Sequence, residues 1–237
     1  GYCAYYNYKD NMKFLREMLQ HIIEKLFGTL VITVGDKQVD LGGEWPSVSF
    51  RDLILQYGNI DINEYNTRET LLQKIYDEKI EIDCDTPLED LGYGNLVDQL
   101  YKKVARPNVV NPIFLTEHPI SLSPLARAND DNPEITDRFQ LIINGAEIIN
   151  AYSELVDPQE QERRLEEQAA LKADGDEEAM PMDHEYISAM EVGMPPISGW
   201  GMGIDRVVQL LTNADNIKDV VMFPLMRPIN TDTKDSE

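Results

Sequence analysis

The chain has 237 residues, enough for one large domain or two small ones. Acidic residues outnumber basic ones 43 to 21, a formal net charge of −22. This excludes a chain that holds a nucleic-acid backbone unaided, because that affinity comes from Lys and Arg set against phosphates. Cys3 and Cys84 make neither a disulfide framework nor a zinc spacing, no apolar run reaches membrane-spanning length, and "GYCAYYNYKDN" has no signal-peptide pattern, so a reducing, cytoplasmic setting without a membrane is expected.

The aromatic run "AYYNY" (4–8) suits a strand. A helix follows, capped by Asp10 or Asn11, with Leu15, Met18, Leu19, Ile22, Ile23 and Leu26 at helical spacing and Gly28 as its stop. "TLVITV" and "KQVDL" around Gly35-Asp36 predict a hairpin. "SFRDLILQYG" (49–58) predicts a short helix between Ser49 as cap and Gly58 as terminator. Residues 59–108 are more charged and helical, with helices expected at 67–79 and 94–105, and have the character of a helical insertion. Strand signals return at "PIFLTEHP" (112–119), "RFQLII" and "AEIINAYSEL". Asn144-Gly145 between the last two is a strong hairpin signal.

Asp157-Pro158 opens a polar helix running to about Lys172, with Asp as cap and Pro in the first helical position. Its "QEQERRLEEQ" is most simply a solvated face. "ADGDEEAMPMD" predicts an exposed acidic loop. Asp183 caps a short helix ended by Gly193. "PPISGWGMG" predicts a turn-rich approach to a last helix, "IDRVVQLLT". "DVVMFP" predicts a final strand, before a polar tail at 229–237. Helices and antiparallel hairpins mix without βαβ regularity, so the class is α+β.

Alternate residues of a strand share a face, so Asn150, Tyr152 and Glu154 point the same way. A carboxylate at the end of an aromatic-lined slot suits an ammonium ligand. On spacing alone, the commoner meaning of Glu154 is a strand-end carboxylate that faces water or pairs with an arginine. Glu147 has the other parity and joins the set only if a bulge near 148–149 shifts the register. In "SGWGMGIDR" (198–206), alternate glycines precede a helix start, where a flat ligand can approach the backbone and phosphate is attracted. Arg206 lies in that helix's first turn, where a cation opposes the dipole unless an anion is bound. A tight turn under a sheet is the blander meaning. His21, His118 and His184 form no arrangement for nucleophilic catalysis.

"GWGMGIDRVVQLLTNADNIKDVVMFPLMRP" (199–228) resembles the third signature motif of class II aminoacyl-tRNA synthetases, and its "FPLMRP" ending resembles the lysyl enzymes. "SLSPLARANDDNPEITDRFQLIINGAEIINAYSELVDPQEQERRLEEQ" (121–168) is similar to the same family nearly throughout, and "YCAYYNYKDNMKFL" (2–15) resembles the segment after its second motif. The resemblance implies an antiparallel sheet flanked by helices and covers 1–228. It implies activation of lysine by ATP and Mg²⁺ to lysyl-adenylate, transfer to tRNA(Lys), and a homodimeric parent protein. By position, Glu154 would hold the lysine ε-ammonium with Tyr2 beside it, and Asn150 and Tyr152 would line the amino-acid pocket. Glu147, with Asn150, would bind the nucleotide, and Glu147 its Mg²⁺. Arg206 would contact phosphates and adenine, with Gly201 and Gly203 giving the ring room; Glu147 and Arg206 would be the catalytic pair.

Two departures accompany the resemblance. The family's first motif, the arginine of its second motif, the carboxylate before the position of Gly1 and the N-terminal barrel are not in these residues. Gln140 stands where the family has a glutamate for Mg²⁺, and a neutral amide is a poorer ligand for that ion. These features leave two alternatives: a truncated paralogue that binds without catalysis, and a paralogue that lysylates protein.

Overall fold

The computed structural model describes residues 1–225; the expected tail and the last three residues of "FPLMRP" lie outside the described residues. Its centre is a six-stranded sheet in the order β1-β8-β7-β6-β5-β4. The strands are β1 (Tyr2–Ala4), β4 (Ser47–Ser49), β5 (Ile113–Thr116), β6 (Arg138–Ile143), β7 (Ala146–Ser153) and β8 (Ile197–Met202). Every pairing is antiparallel except β4 with β5, which is parallel. That edge departs from the purely antiparallel sheet expected, and β4 is too short and polar to have been read from its sequence. A separate hairpin, β2 (Val31–Val34) with β3 (Lys37–Asp40), turns at Gly35 as expected.

Local chemistry sets the helix ends. The helix α1 (Tyr8–Phe27) starts earlier than expected, because Asn7 caps it. The Asn7 side chain accepts from Lys9 and Asp10 N–H while Asp10 accepts from Asn7 N–H, a reciprocal capping box. This start shortens the expected strand at 4–8 to Tyr2–Ala4, with Tyr5 at positive φ making the corner. Gly28, left-handed at φ 68°, ends α1 as expected. Ser49 caps α2 (Phe50–Gly58), but the left-handed terminator is Asn59 rather than Gly58. Helices α3 (Arg68–Asp77) and α4 (Tyr93–Val104) fall where expected.

Asn144 and Gly145 both take positive φ, 47° and 73°, the requirement of a two-residue turn matched to sheet twist. Asp157 caps α5 (Pro158–Ala173), and Asp183 caps α6 (His184–Glu191). The face of α5 is not wholly solvated. Arg164 and Gln161 are buried, and they donate to the carbonyls of Ala126 and Pro124.

Two expectations fail for want of tertiary information. "PPISGWGMG" is not an approach turn. It forms β8, whose glycines are held extended because β1 and β7 pair it on both sides. "DVVMFP" is not a strand: Ile217–Asp219 form a 3-10 turn, and Met222 and Phe223 are exposed with no neighbouring strand to pair them.

Two cores cover the sheet. On one face Phe114, Phe139, Leu141, Ile149 and Ala151 pack with α1, the hairpin and α7 (Ile204–Thr212). On the other, Leu115 and Ile142 pack with α2, α3 and α4, so residues 59–108 share a core with that end of the sheet. The β1-β8-β7 end of this second face is left for the site.

Candidate functional site

Register lines up the expected residues. Arg138 pairs Tyr152, Tyr152 pairs Gly199, and Gly199 pairs Tyr2, one row across four strands. The next row holds Gln140, Asn150 and Gly201. The alternation read from β7 therefore holds: Asn150 and Tyr152 face this cleft while Ile149 and Ala151 enter the opposite core.

Between Leu141 and Ile142 the β6-β7 register slips, so that Leu141 pairs Ile149 but Ile142 pairs Glu147. Ile148 is the extra residue, and it points into the opposite core beside Ile149. This is the bulge on which Glu147 depended. It brings Glu147 beside Gln140, whose Nε2 donates to Glu147 Oε2 at 2.9 Å. Arg206, in the first turn of α7, donates from Nη1 to the Glu147 carbonyl at 2.7 Å. Glu147, Gln140 and Arg206 are thus brought together.

Tyr2, Asn150, Tyr152, Glu154, Gly199, Trp200 and Gly201 line a cavity of about 250 Å³. Glu154, just past β7, is 7% exposed and forms no ion pair among the described residues. It neither faces water nor pairs with an arginine, so the commoner meaning of its spacing does not hold. Burial pushes its carboxyl up to about 7. Burial, then the neighbouring Glu154, pushes the Tyr152 hydroxyl up to about 12. A carboxylate held without a counter-charge in a small aromatic cavity is an acceptor for a cation.

Gly199 lies close under the Glu154 and Tyr2 side chains. A Cβ there would overlap Glu154 Oε1 and lie 2.6 Å from Tyr2 Cε1. At Gly201 a Cβ would meet only the Asn150 carbonyl at 4.0 Å, so open space lies above it. Gly203 is the N-cap of α7 and abuts the Arg206 stem. The alternating glycines therefore make a flat floor leading from the carboxylate to a helix start.

Two features were not singled out from sequence. Gly199 was one of three similar glycines, and only the cross-strand register gives it its neighbours. Arg138 opens β6 and donates from Nε to Asn150 Oδ1 at 3.0 Å. A second cavity of about 150 Å³, lined by Ser123, Arg138, Asn150, Tyr152 and Met180, shares two walls with the first. Met180 belongs to the expected acidic loop, which is not simply exposed: Asp176 within it is fully buried and accepts from Gly92 N–H at 2.8 Å and from Asn95. His118 is buried with neither ring nitrogen partnered; burial first, then Arg138, lower its pKa, which fits a core histidine.

For a metal, Glu147 offers one carboxylate already hydrogen-bonded to an amide, and Gln140 Oε1 is buried and unpartnered. Among the described residues no group of three or more His, Cys, Asp or Glu forms a cage. The donor set fits a hard cation that brings its other oxygens with it, as Mg²⁺ on nucleotide phosphates does, rather than a free ion. No described helix is long and apolar enough to cross a membrane.

Residues 1–227 match the family model described as tRNA synthetases class II (D, K and N). The chain is 43% identical over 229 residues to the lysine–tRNA ligase of Thermosipho africanus, covering 97% of this chain and 44% of that protein. It is 40% identical over 238 aligned positions to that of Dehalococcoides mccartyi, covering 100% of this chain and 47% of the relative. To that of Porphyromonas gingivalis it is 39% identical over 236, covering 100% and 40%. The chain thus spans less than half the length of these relatives. With the mixed sheet, the glycine floor and the Arg206 helix start beside them, these matches establish that the chain belongs to the class II tRNA synthetases of the D, K and N group.

Proposed function

We propose that this chain, 1–228, carries the amino-acid- and nucleotide-binding face of the catalytic domain of a lysine–tRNA ligase. The whole protein would join lysine to ATP as lysyl-adenylate, releasing pyrophosphate, and then pass the lysyl group to tRNA(Lys). The observation that carries this reading is Glu154: a buried carboxylate with no counter-ion among the described residues, at the end of a cavity walled by Tyr2 and Tyr152. The lysine ε-ammonium supplies the missing charge. Neutral side chains of similar size are rejected because they would leave the carboxylate unpaired.

Asn150 and Tyr152 line the rest of the amino-acid pocket. Gly201 and Gly203 leave a flat approach for the adenine, and Arg206 at the start of α7 faces phosphate negative charge. Its bond to the Glu147 carbonyl keeps the guanidinium and that carboxylate in one place. Attack of the lysine carboxylate on the α-phosphate forms no covalent bond to the protein, so orientation and charge neutralisation are its tasks. Mg²⁺ carried by ATP would be held by Glu147 and the Gln140 amide oxygen, and supplies neutralisation of phosphate charge when bound.

Calorimetric titration with a non-hydrolysable lysyl-adenylate analogue tests the reading, with an aspartyl analogue as control. The expected result is selective binding of the lysyl compound that is lost in Glu154→Gln. Equal binding of both analogues, or retention in Glu154→Gln, would remove Glu154 as the reader of the ammonium.

A further inference from the structure

We propose that Arg138 is a positioning residue that locks the Asn150 amide so that only its Nδ2 donors face the pocket. This gives the site an oxygen-recognising end, distinct from the ammonium-recognising end at Glu154. The inference deepens the lysine reading above and rests on it.

The guanidinium of Arg138 has its N–H groups in one rigid plane, and three contacts fix that plane. Nη1 donates to the Leu122 carbonyl at 3.0 Å and to Ser123 Oγ at 2.9 Å, while Nε donates to Asn150 Oδ1 at 3.0 Å. An asparagine amide has one acceptor side and one donor side. Turning the Asn150 amide over would set Nδ2–H against Nε–H, two donors facing each other. The loop contacts stop the guanidinium from moving aside, so one orientation is left.

In that orientation Nδ2 makes no hydrogen bond among the described residues, and Asn150 lines both cavities. The group that meets Asn150 must therefore accept hydrogen bonds. Arg138 adds charge to the same preference. Six other arginines of the chain, such as Arg127 and Arg164, pair with carboxylates, whereas no carboxylate pairs with Arg138 among the described residues. The ligand chemistry specified is an oxygen-bearing group, a carboxylate or the acyl and phosphoryl oxygens that replace it, on a molecule whose other end is an ammonium.

The test uses the full 237-residue chain, L-lysine and cadaverine, which is lysine without its carboxylate. The unmodified chain is expected to prefer lysine. In Arg138→Met, lysine affinity should fall about tenfold or more, the size of a lost charge-assisted hydrogen bond, while cadaverine affinity stays within about twofold. Adding Asn150→Ala to Arg138→Met should cost no more than Asn150→Ala alone. An equal loss for both ligands would mean that Arg138 only staples the Leu122–Ser123 loop, and would overturn the proposal. Where Arg138→Met does not fold, Arg138→Lys keeps the charge but not the fork, and the same selective loss is expected. A ligand-free arm uses proton–nitrogen NMR: a slowly exchanging arginine Nε–H signal should vanish in Arg138→Lys and move in Asn150→Ala. No movement in Asn150→Ala sinks the lock. Where neither ligand binds the folded chain, the NMR arm decides the lock by itself.

Discussion

Glu154 keeps a carboxylate where the surroundings favour the neutral acid, and that conflict is measurable. Its ordinary value is 4.5 and burial raises it to about 7. Between these values the folded chain holds a proton that the unfolded chain has released. Stability from this group is therefore present below about pH 4.5 and is lost as pH rises to about 7. An ammonium ligand needs the ionised form. We expect ligand binding near pH 7 to release a proton and to weaken as pH falls below it. Calorimetry in buffers of different ionisation enthalpy reads the proton directly; the same observed heat in every buffer would contradict the expectation. The glycines give a second contrast. Gly199→Ala should weaken binding of the lysyl-adenylate analogue, since its Cβ displaces the Glu154 carboxylate and the Tyr2 ring. Gly201→Ala should leave thermal stability within about 0.5 kcal/mol, as a substitution touching little does, and weaken only the analogue that fills the space above it. The shared face of Asn150, Tyr152 and Glu154 was legible in the sequence because a strand's period is fixed. Glu147 was legible only conditionally, because a bulge is settled by the partner strand. Arg138 and Gly199 were not legible, since each acquires its neighbours from strands distant in the chain.

At the scale of elements, α4 begins without a cap of its own: Gly92 occupies the N-cap and has no side chain to offer. Asp176 supplies the acceptor from 84 residues away, through the Gly92 N–H, and ties down the loop that carries Met180. Replacing Asp176 with alanine should cost about 1–3 kcal/mol, the penalty for a buried donor left unpaired. It should also open residues 174–182 to protease; chemical unfolding and limited proteolysis read the two effects. Unchanged proteolysis would show that the loop is held by other contacts. The same element explains a limit of sequence reading. Ser49, Thr67, Asp157 and Asp183 cap helices from adjacent positions, so those helix starts fell within a residue or two of expectation, whereas the cap of α1 is Asn7 rather than Asp10 or Asn11. A cap that arrives from another element leaves no local signal, and "ADGDEEAMPMD" reads as solvent-exposed for that reason. Strand β8 was hidden in the same way, its glycines pointing to turns until two neighbouring strands hold them extended.

At the scale of the whole chain, the sheet has a buried middle and two short edges, β1 and β4, each paired on one side only among the described residues. Beside β1, Tyr5 is 80% exposed and Phe14 is 47% exposed. Unpaired strand edges flanked by exposed aromatics are association sites. The isolated 237-residue chain should therefore show concentration-dependent association in sedimentation, reduced in a Tyr5→Lys, Phe14→Lys variant; a monomer at all concentrations would show that a three-residue edge is too short to template pairing. The α+β class was legible in the sequence, because hydrophobic periodicity separates helices from strands, but the core that residues 59–108 share with the sheet was not. The order of strands was not, since it joins residues the chain keeps apart. The amine of Gly1 meets the carbonyl of Trp200, 199 residues onward, and the cleft lies across that junction. The separation sets a timetable. At synthesis rates of roughly 5–20 residues per second, about 10 to 40 seconds pass between the two arrivals at the ribosome. The helices of residues 50–109 can collapse on one another within that interval, using short-range contacts that form early. Tyr2 can pair with Gly199 only after β8 emerges, so the ligand pocket forms late in synthesis.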